Sequence, residues 1–247
     1  MITLAKLYFR YGAMNCSKTA NALMVIHNYE EQGKKVLVFK PSIDIRSANE
    51  KIESRIGISH DCIDIDKDFN TFEYLNDQLY MYNEKISCII VDESQFLTKY
   101  QVLQLSQVVD YFNIPVICYG LKNSYVDGEL FCGSRALLYY ADTIEEIKNV
   151  CTYCNKKATM NLRILNGKPI YDGNTVNCGD TKESEDYYVP VCRKHYYKPE
   201  IKGNNLTKEE RIEMQNDLFY DDEDFIGLFY DYEKINKNTT INLKNSK

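Results

Sequence analysis

The sequence lacks a basic excess. Its 36 acidic residues outnumber 30 lysines and arginines, for a formal net charge of -6. No Lys/Arg stripe is visible, which argues against a nucleic-acid-binding surface. It also lacks any uninterrupted apolar run long enough to span a bilayer, so no membrane partner is expected. The N-terminus lacks the basic segment, apolar core and small cleavage residues of a secretory signal. Histidine is scarce, with three residues in 247, and there is no internal repeat. What is present is 44% hydrophobic residues, which at this length suits one sizeable domain plus an appendage. Nine cysteines without a signal peptide point to reduced thiols and a metal, not to a disulfide framework. The cytoplasm is the expected compartment.

Strand and helix patterns alternate along the first part of the chain. Leu4 to Tyr11 reads as a strand running into Gly12, and Ala20, Leu23, Met24 and His27 fall at helical spacing after it. Val36 to Phe39 is a second buried strand, followed by a loop with Asp44 and Arg46 and a weak strand at Cys62 to Ile65. A helix over Phe69 to Tyr82 leads to Ser87-Cys88-Ile89-Ile90-Val91, a helix face at Leu105, Val108, Val109 and Phe112, and a further strand from Pro115 to Tyr119. Strands separated by helices make a parallel sheet, hence an α/β fold. The pattern divides the chain into a nucleotide-binding core over 1–149, a small metal-binding lobe over 150–202 and an acidic C-terminal tail over 203–247. That tail is expected to be partly disordered.

Two segments carry phosphate chemistry. The apolar run ending at Val91 is cut off by Asp92-Glu93, the pattern of a central parallel strand whose C-terminal end meets a ligand crevice. One acid there suits a magnesium ion held through water, and its neighbour suits the group being activated. Gly12-Ala13-Met14-Asn15-Cys16-Ser17-Lys18-Thr19 departs from the phosphate-loop pattern at one position, Ser17 standing where glycine belongs. A glycine turn or an Asp-Glu pair is ordinary alone. A strand before the loop, a helix after it and a second strand tipped with acids together make a nucleotide site. Lys18 would reach the terminal phosphates, and Thr19 with Asp92 would hold magnesium.

A metal site is written separately. Cys151 with Cys154 forms one close pair and Cys192 with His195 another, which suits tetrahedral zinc. Four protein ligands leave no open position, so the ion would staple the lobe and do no chemistry. Cys16, Cys62, Cys88, Cys118, Cys132 and Cys178 read as packing or loop residues.

Taken in order, Gly12 to Thr19, Phe39-Lys40-Pro41 with Asp44 and Arg46, and Asp92-Glu93-Ser94-Gln95-Phe96 resemble the type II thymidine kinases. So do Tyr119-Gly120-Leu121-Lys122-Asn123-Ser124-Tyr125, Ala141-Asp142, Cys151 with Cys154, and Tyr188 ahead of Cys192-Arg193-Lys194-His195. The resemblance implies a P-loop NTPase core of RecA-like type with a small zinc-ribbon-like lobe. It also implies transfer of the ATP γ-phosphate to the 5′-hydroxyl of thymidine, with magnesium, by a homotetramer. It assigns ATP contacts to Gly12, Ala13, Met14, Asn15, Cys16, Ser17, Lys18, Thr19, Arg46, Asp92, Glu93, Ser94 and Gln95, with Glu93 as the catalytic proton acceptor. Met14, Phe96, Leu121, Tyr125, Phe131 and Tyr188 match positions that enclose the nucleoside, and the backbone around Val176, Cys178 and Gly179 matches the pyrimidine-binding segment. Core packing is a serious rival for Leu121 and Phe131; Tyr125, in a polar loop after a strand, reads as functional. Ser17, and a longer segment between Gly179 and Tyr188, depart from the family pattern. Ser17 suggests one alternative, a nucleotide-binding sensor that has lost catalysis. A zinc-ribbon ATPase acting on nucleic acid is the other, opposed by the acidic balance.

Overall fold

The structure is a computed structural model that describes residues 4–42, 50–173 and 186–199. Asp44, Arg46, Val176, Cys178, Gly179 and the tail from 203 lie outside the described residues. Strand β1 (Leu7–Tyr11) feeds the glycine loop, and helix α1 (Lys18–Glu30) leaves it. The chain continues through β2 (Lys35–Pro41), a short hairpin of β3 (Lys51–Glu53) and β4 (Ser59–Asp61), then β5 (Ile63–Ile65) and α2 (Thr71–Tyr80). Next come β6 (Ile86–Val91), a 3-10 turn at Ser94–Phe96, α3 (Lys99–Phe112), β7 (Val116–Gly120), α4 (Cys132–Tyr140) and β8 (Thr143–Glu146).

Local chemistry explains where the helices start and stop. Asn70 caps α2 by accepting from the N–H groups of Phe72 and Glu73. Thr98 and Gln101 form a reciprocal capping box at the start of α3, which ends where Asn113 turns left-handed at φ 53° ahead of Pro115.

The main sheet has the order β5-β2-β6-β7-β1-β8, and all of its pairings are parallel. One strand, β7, therefore separates the loop-bearing β1 from the acid-tipped β6, the RecA-like arrangement. Both faces are covered, which is why the strands read as continuous apolar runs. In β6, Ile89 and Val91 pack with Leu75, Val102, Leu105 and Leu137 on the side of α2, α3 and α4. Cys88 and Ile90 pack with Ala22, Leu23 and Ile26 of α1 on the other. Each large apolar side chain so buried contributes about 1.5–3 kcal/mol. Because the strands are parallel, the C-terminal ends of β1, β2, β6 and β7 share one edge, and the crevice lies there.

Beyond β8, β9 (Met160–Leu165) pairs antiparallel with both β10 (Lys168–Ile170) and β11 (Asp186–Val191), and the short helix α5 (Arg193–Tyr197) follows. Leu162, Ile164 and Val191 are buried beneath this small sheet. All of the described residues except Tyr153–Asn155 belong to one compact unit.

Candidate active site

The phosphate loop leaves β1 at Gly12, whose N–H donates to Gly120 O at 3.3 Å. A Cβ on Gly12 would fall on Cys16 Sγ and lie 2.5 Å from Ile147 O, so no larger residue fits. Asn15 (φ 59°) and Ser17 (φ 61°) are both left-handed, a conformation that gathers backbone N–H groups into an anion-binding concavity. The N-terminus of α1, beginning at Lys18, adds its own unsatisfied N–H groups and positive dipole end. Lys18 is buried and donates from Nζ to Ala13 O at 3.0 Å, keeping its ammonium within the loop. Ser17 makes no side-chain cap bond.

At the end of β6, Thr19 Oγ1 donates to Asp92 Oδ2 at 2.8 Å. Burial, and then the charge of neighbouring Glu93, push the Asp92 carboxyl well above the ordinary carboxylate range. Its Oδ1 is buried with no hydrogen-bond partner among the described residues. A buried carboxylate with an orphaned oxygen beside a hydroxyl is the donor set a magnesium ion takes alongside phosphate oxygens, so these residues fit that ion. Glu93 is left-handed at φ 48°, a strained conformation for a residue with a side chain. Its Oε2 accepts from Gln95 Nε2.

Met14 to Ala20, Asp92, Glu93 and Leu121 line one cavity of about 450 Å³. Its remaining wall is Lys40 and the hairpin residues Ile52 to Gly57. The hairpin is firmly placed. Ile52 is buried, Lys40 Nζ donates to Lys51 O at 3.0 Å, and His60 Nε2 meets Glu30 of α1 at 3.0 Å. Arg55 stands at its tip on the cavity wall. Ser94 and Gln95 are buried and do not line the cavity.

The nucleoside-type residues fall into groups. Met14 and Leu121 line the cavity. Phe96 and Phe131 meet edge to face at 5.6 Å, and Tyr125 meets Tyr188 at 5.7 Å. Tyr125 is buried, with polar partners on its hydroxyl and its carbonyl. It is 3% exposed, its hydroxyl accepts from Arg163 at 3.1 Å, and its carbonyl accepts from the Tyr196 hydroxyl at 2.6 Å. Arg163 in turn grips Asp186 through two bonds of 2.8 and 2.7 Å.

The loop is also held by Asn161 of the small sheet and by Asn149 ahead of it, residues with no sequence signature. Asn161 is buried, accepts from Met14 N–H at 2.8 Å and donates to Asn123 O at 3.1 Å. Asn149 Nδ2 donates to Met14 O at 3.0 Å.

The ligand atoms of Cys151, Cys154, Cys192 and His195 all lie within 4.8 Å of one another. Cys192 caps α5, so its first turn brings His195 to the same face, and His195 Nδ1 lies 3.4 Å from Cys192 Sγ and 3.3 Å from Cys151 Sγ. A zinc tetrahedron with bonds of roughly 2.0–2.3 Å has S···N edges of about 3.5 Å. Cys151 N–H to Lys156 O at 2.8 Å and Thr152 N–H to Pro190 O at 2.9 Å close the supporting turns. Three thiols and an imidazole, mostly buried, fit a structural zinc ion.

A family model described as thymidine kinase matches residues 5–196. The chain is 47% identical over 198 residues to a thymidine kinase of Lactococcus lactis, covering 80% of this chain and 100% of that protein. It is 46% identical over 202 residues to one of Lactobacillus acidophilus, covering 80% of this chain and 99% of that protein. Among solved structures, the Pif1 helicase of Candida albicans is 12% identical with a TM-score of 0.37, covering 59% of this chain and 36% of that chain. That likeness is too slight to carry an argument. By the span of the family match and the identity over the whole length of these relatives, the chain belongs to the thymidine kinase family.

Proposed function

We infer that this protein is an ATP-dependent thymidine kinase, which transfers the γ-phosphate of ATP to the 5′-hydroxyl of thymidine and releases ADP and dTMP. The observation that carries the reading is the meeting of the phosphate loop, Asp92 and Glu93 on one cavity. The backbone of Gly12 to Ser17 and the start of α1 cradle the phosphates, and Lys18 offsets their charge. Thr19 and Asp92 would hold magnesium, which when bound neutralises charge on the phosphate oxygens. Glu93 orients the 5′-hydroxyl. As the bond from that oxygen to Pγ forms and the bond from Pγ to the bridging oxygen breaks, the hydroxyl proton passes to the Glu93 carboxylate. An ordinary carboxylate is a weak base toward an alcohol, but the hydroxyl becomes acidic as its bond to phosphorus forms. Met14 and Leu121, which line the cavity, suit the base, and the Phe96–Phe131 and Tyr125–Tyr188 pairs belong to the same reading through the family pattern. Arg46, Asp44, Val176, Cys178 and Gly179, outside the described residues, belong to the same reading through the family pattern.

Zinc at Cys151, Cys154, Cys192 and His195 keeps the small sheet in place and takes no part in the reaction. The reading includes a homotetramer in the cytoplasm, and among the described residues no helix is long and apolar enough to cross a membrane. The acidic charge of -6 gives no support to action on nucleic acid. A coupled assay with ATP, magnesium and thymidine, with dTMP identified chromatographically, tests the reaction. ATP binding without dTMP formation would favour the lapsed sensor instead.

A further inference from the structure

We propose that Gln95 is a positioning residue that holds the Glu93 carboxylate for proton transfer, an inference that rests on Glu93 being the proton acceptor. Glu93 follows β6 in a left-handed conformation, φ 48°, outside any helix or strand ladder. Gln95 is 1% exposed, and its amide is engaged at both ends: Leu121 N–H donates to Oε1 at 3.0 Å, and Nε2 donates to Glu93 Oε2. The direction of the amide follows from chemistry. A backbone N–H only donates, so the oxygen of Gln95 must face Leu121 and its NH₂ must face the carboxylate.

The surroundings are built for this contact. A Cβ on Gly120 would lie 2.8 Å from Gln95 Oε1 and 2.6 Å from Ser94 Oγ, so glycine is required for the turn to sit against the end of β7. Ser94 Oγ donates to Tyr119 O at 2.9 Å and pins that turn to the same strand. Gln95 does not line the cavity, whereas its two partners, Glu93 and Leu121, do. Its effect on the reaction therefore passes through them. It registers the proton acceptor against the wall that Leu121 forms, and charge-assisted bonds of this type are the stronger ones. A base fixed in this way needs no reorganisation when the hydroxyl arrives.

The test is a double-mutant cycle with steady-state kinetics on the zinc-loaded, full-length enzyme. Gln95→Glu keeps the size and the acceptor for Leu121 and replaces only the donor that faces Glu93. Gln95→Met removes the same donor, and with it the acceptor for Leu121 N–H, without burying a charge, and so serves where Gln95→Glu folds poorly. Each is expected to lower kcat by about 10²-fold while the KM for ATP stays within about threefold. In a Glu93→Gln background, either substitution should cost less than about threefold more, because no base remains to be positioned. A full additional loss in that background, or an unchanged kcat in the single Gln95 variants, would overturn the proposal. The Glu93→Gln arm separates the two claims: if that variant alone keeps its turnover, the assignment of Glu93 fails, whatever Gln95 does.

Discussion

Thr19 and Asp92 are joined by a 2.8 Å hydrogen bond across 73 residues of sequence, from the first turn of α1 to the end of β6. The bond satisfies one carboxylate oxygen and leaves the other buried with no hydrogen-bond partner among the described residues. Such a carboxylate is poorly placed for stability and well placed for a cation. Asp92→Asn retains an acceptor for the Thr19 hydroxyl and removes the buried charge. We expect turnover to fall by about 10²-fold or more, while the thermal midpoint stays level or rises. Melting curves beside a turnover assay check this; a variant that is both less stable and fully active would refute it.

Zinc is expected at one ion per chain. Cys154→Ser should lower the metal content and the melting temperature, by about 5 °C or more, since metal binding at a closed site is folding free energy. The loss should reach the reaction as well, because Asn161 of β9 holds the backbone of Met14 in the phosphate loop. Elemental analysis of protein prepared without chelator, with melting curves and ATP KM for both forms, checks the chain of effects. Finding no zinc would remove the site.

The parts of the molecule legible in the sequence are those whose chemistry sits in residue type at fixed spacing. Lys18 and Thr19 after Gly12, Asp92 after Val91, and the two metal-ligand pairs are of this kind, and the structure brings each set together. The buried runs of β2 and β6 were legible because both faces of a parallel sheet are covered. The hairpin of β3 and β4 was not, for its strands are three residues each and only Ile52 is buried. Helix α4 was hidden by Gly133, where a Cβ would fall on Ser94 O; that glycine answers a tertiary contact at a cost in helix propensity. The polar partners of Tyr125 come from residues distant in sequence. Its polar sequence neighbours gave no sign that Arg163 and Tyr188 from the small sheet would cover it. Asn161 depends on Met14, 147 residues away, and no local pattern could have announced it.

Arg163 and Asp186 make a pH-dependent contribution whose sign can be worked out. The Arg163 guanidinium bonds directly to Asp186 and holds its carboxyl below the ordinary range. A depressed folded-state value means that the unfolded chain takes up the proton more readily, so the pair stabilises the fold above the unfolded value. That stabilisation is lost as pH falls through the folded value. The melting-temperature difference between wild type and Asp186→Asn should therefore hold steady from neutral pH down to about 4, then shrink below it. A difference that grows on acidification would contradict the sign.

Ser17 is the one departure in the phosphate loop, and its backbone settles which demand glycine ordinarily meets there. At φ 61° and ψ 32° the residue is left-handed, so the requirement is conformational, and a side chain costs roughly 1 kcal/mol at such a position. Glycine would relieve that strain but give the unfolded chain more freedom, worth about 0.5–1 kcal/mol in the opposite direction. The two nearly cancel. Neither moves Lys18 or Thr19, which are fixed by Ala13 O and Asp92. Ser17→Gly is therefore expected to change the ATP KM by less than about tenfold, or ~1.4 kcal/mol. Ser17→Val, β-branched in a left-handed conformation, should raise it well beyond that. ATP titrations of the three proteins check both statements. A wild type without turnover that Ser17→Gly switches on would show instead that this serine marks a lapsed enzyme.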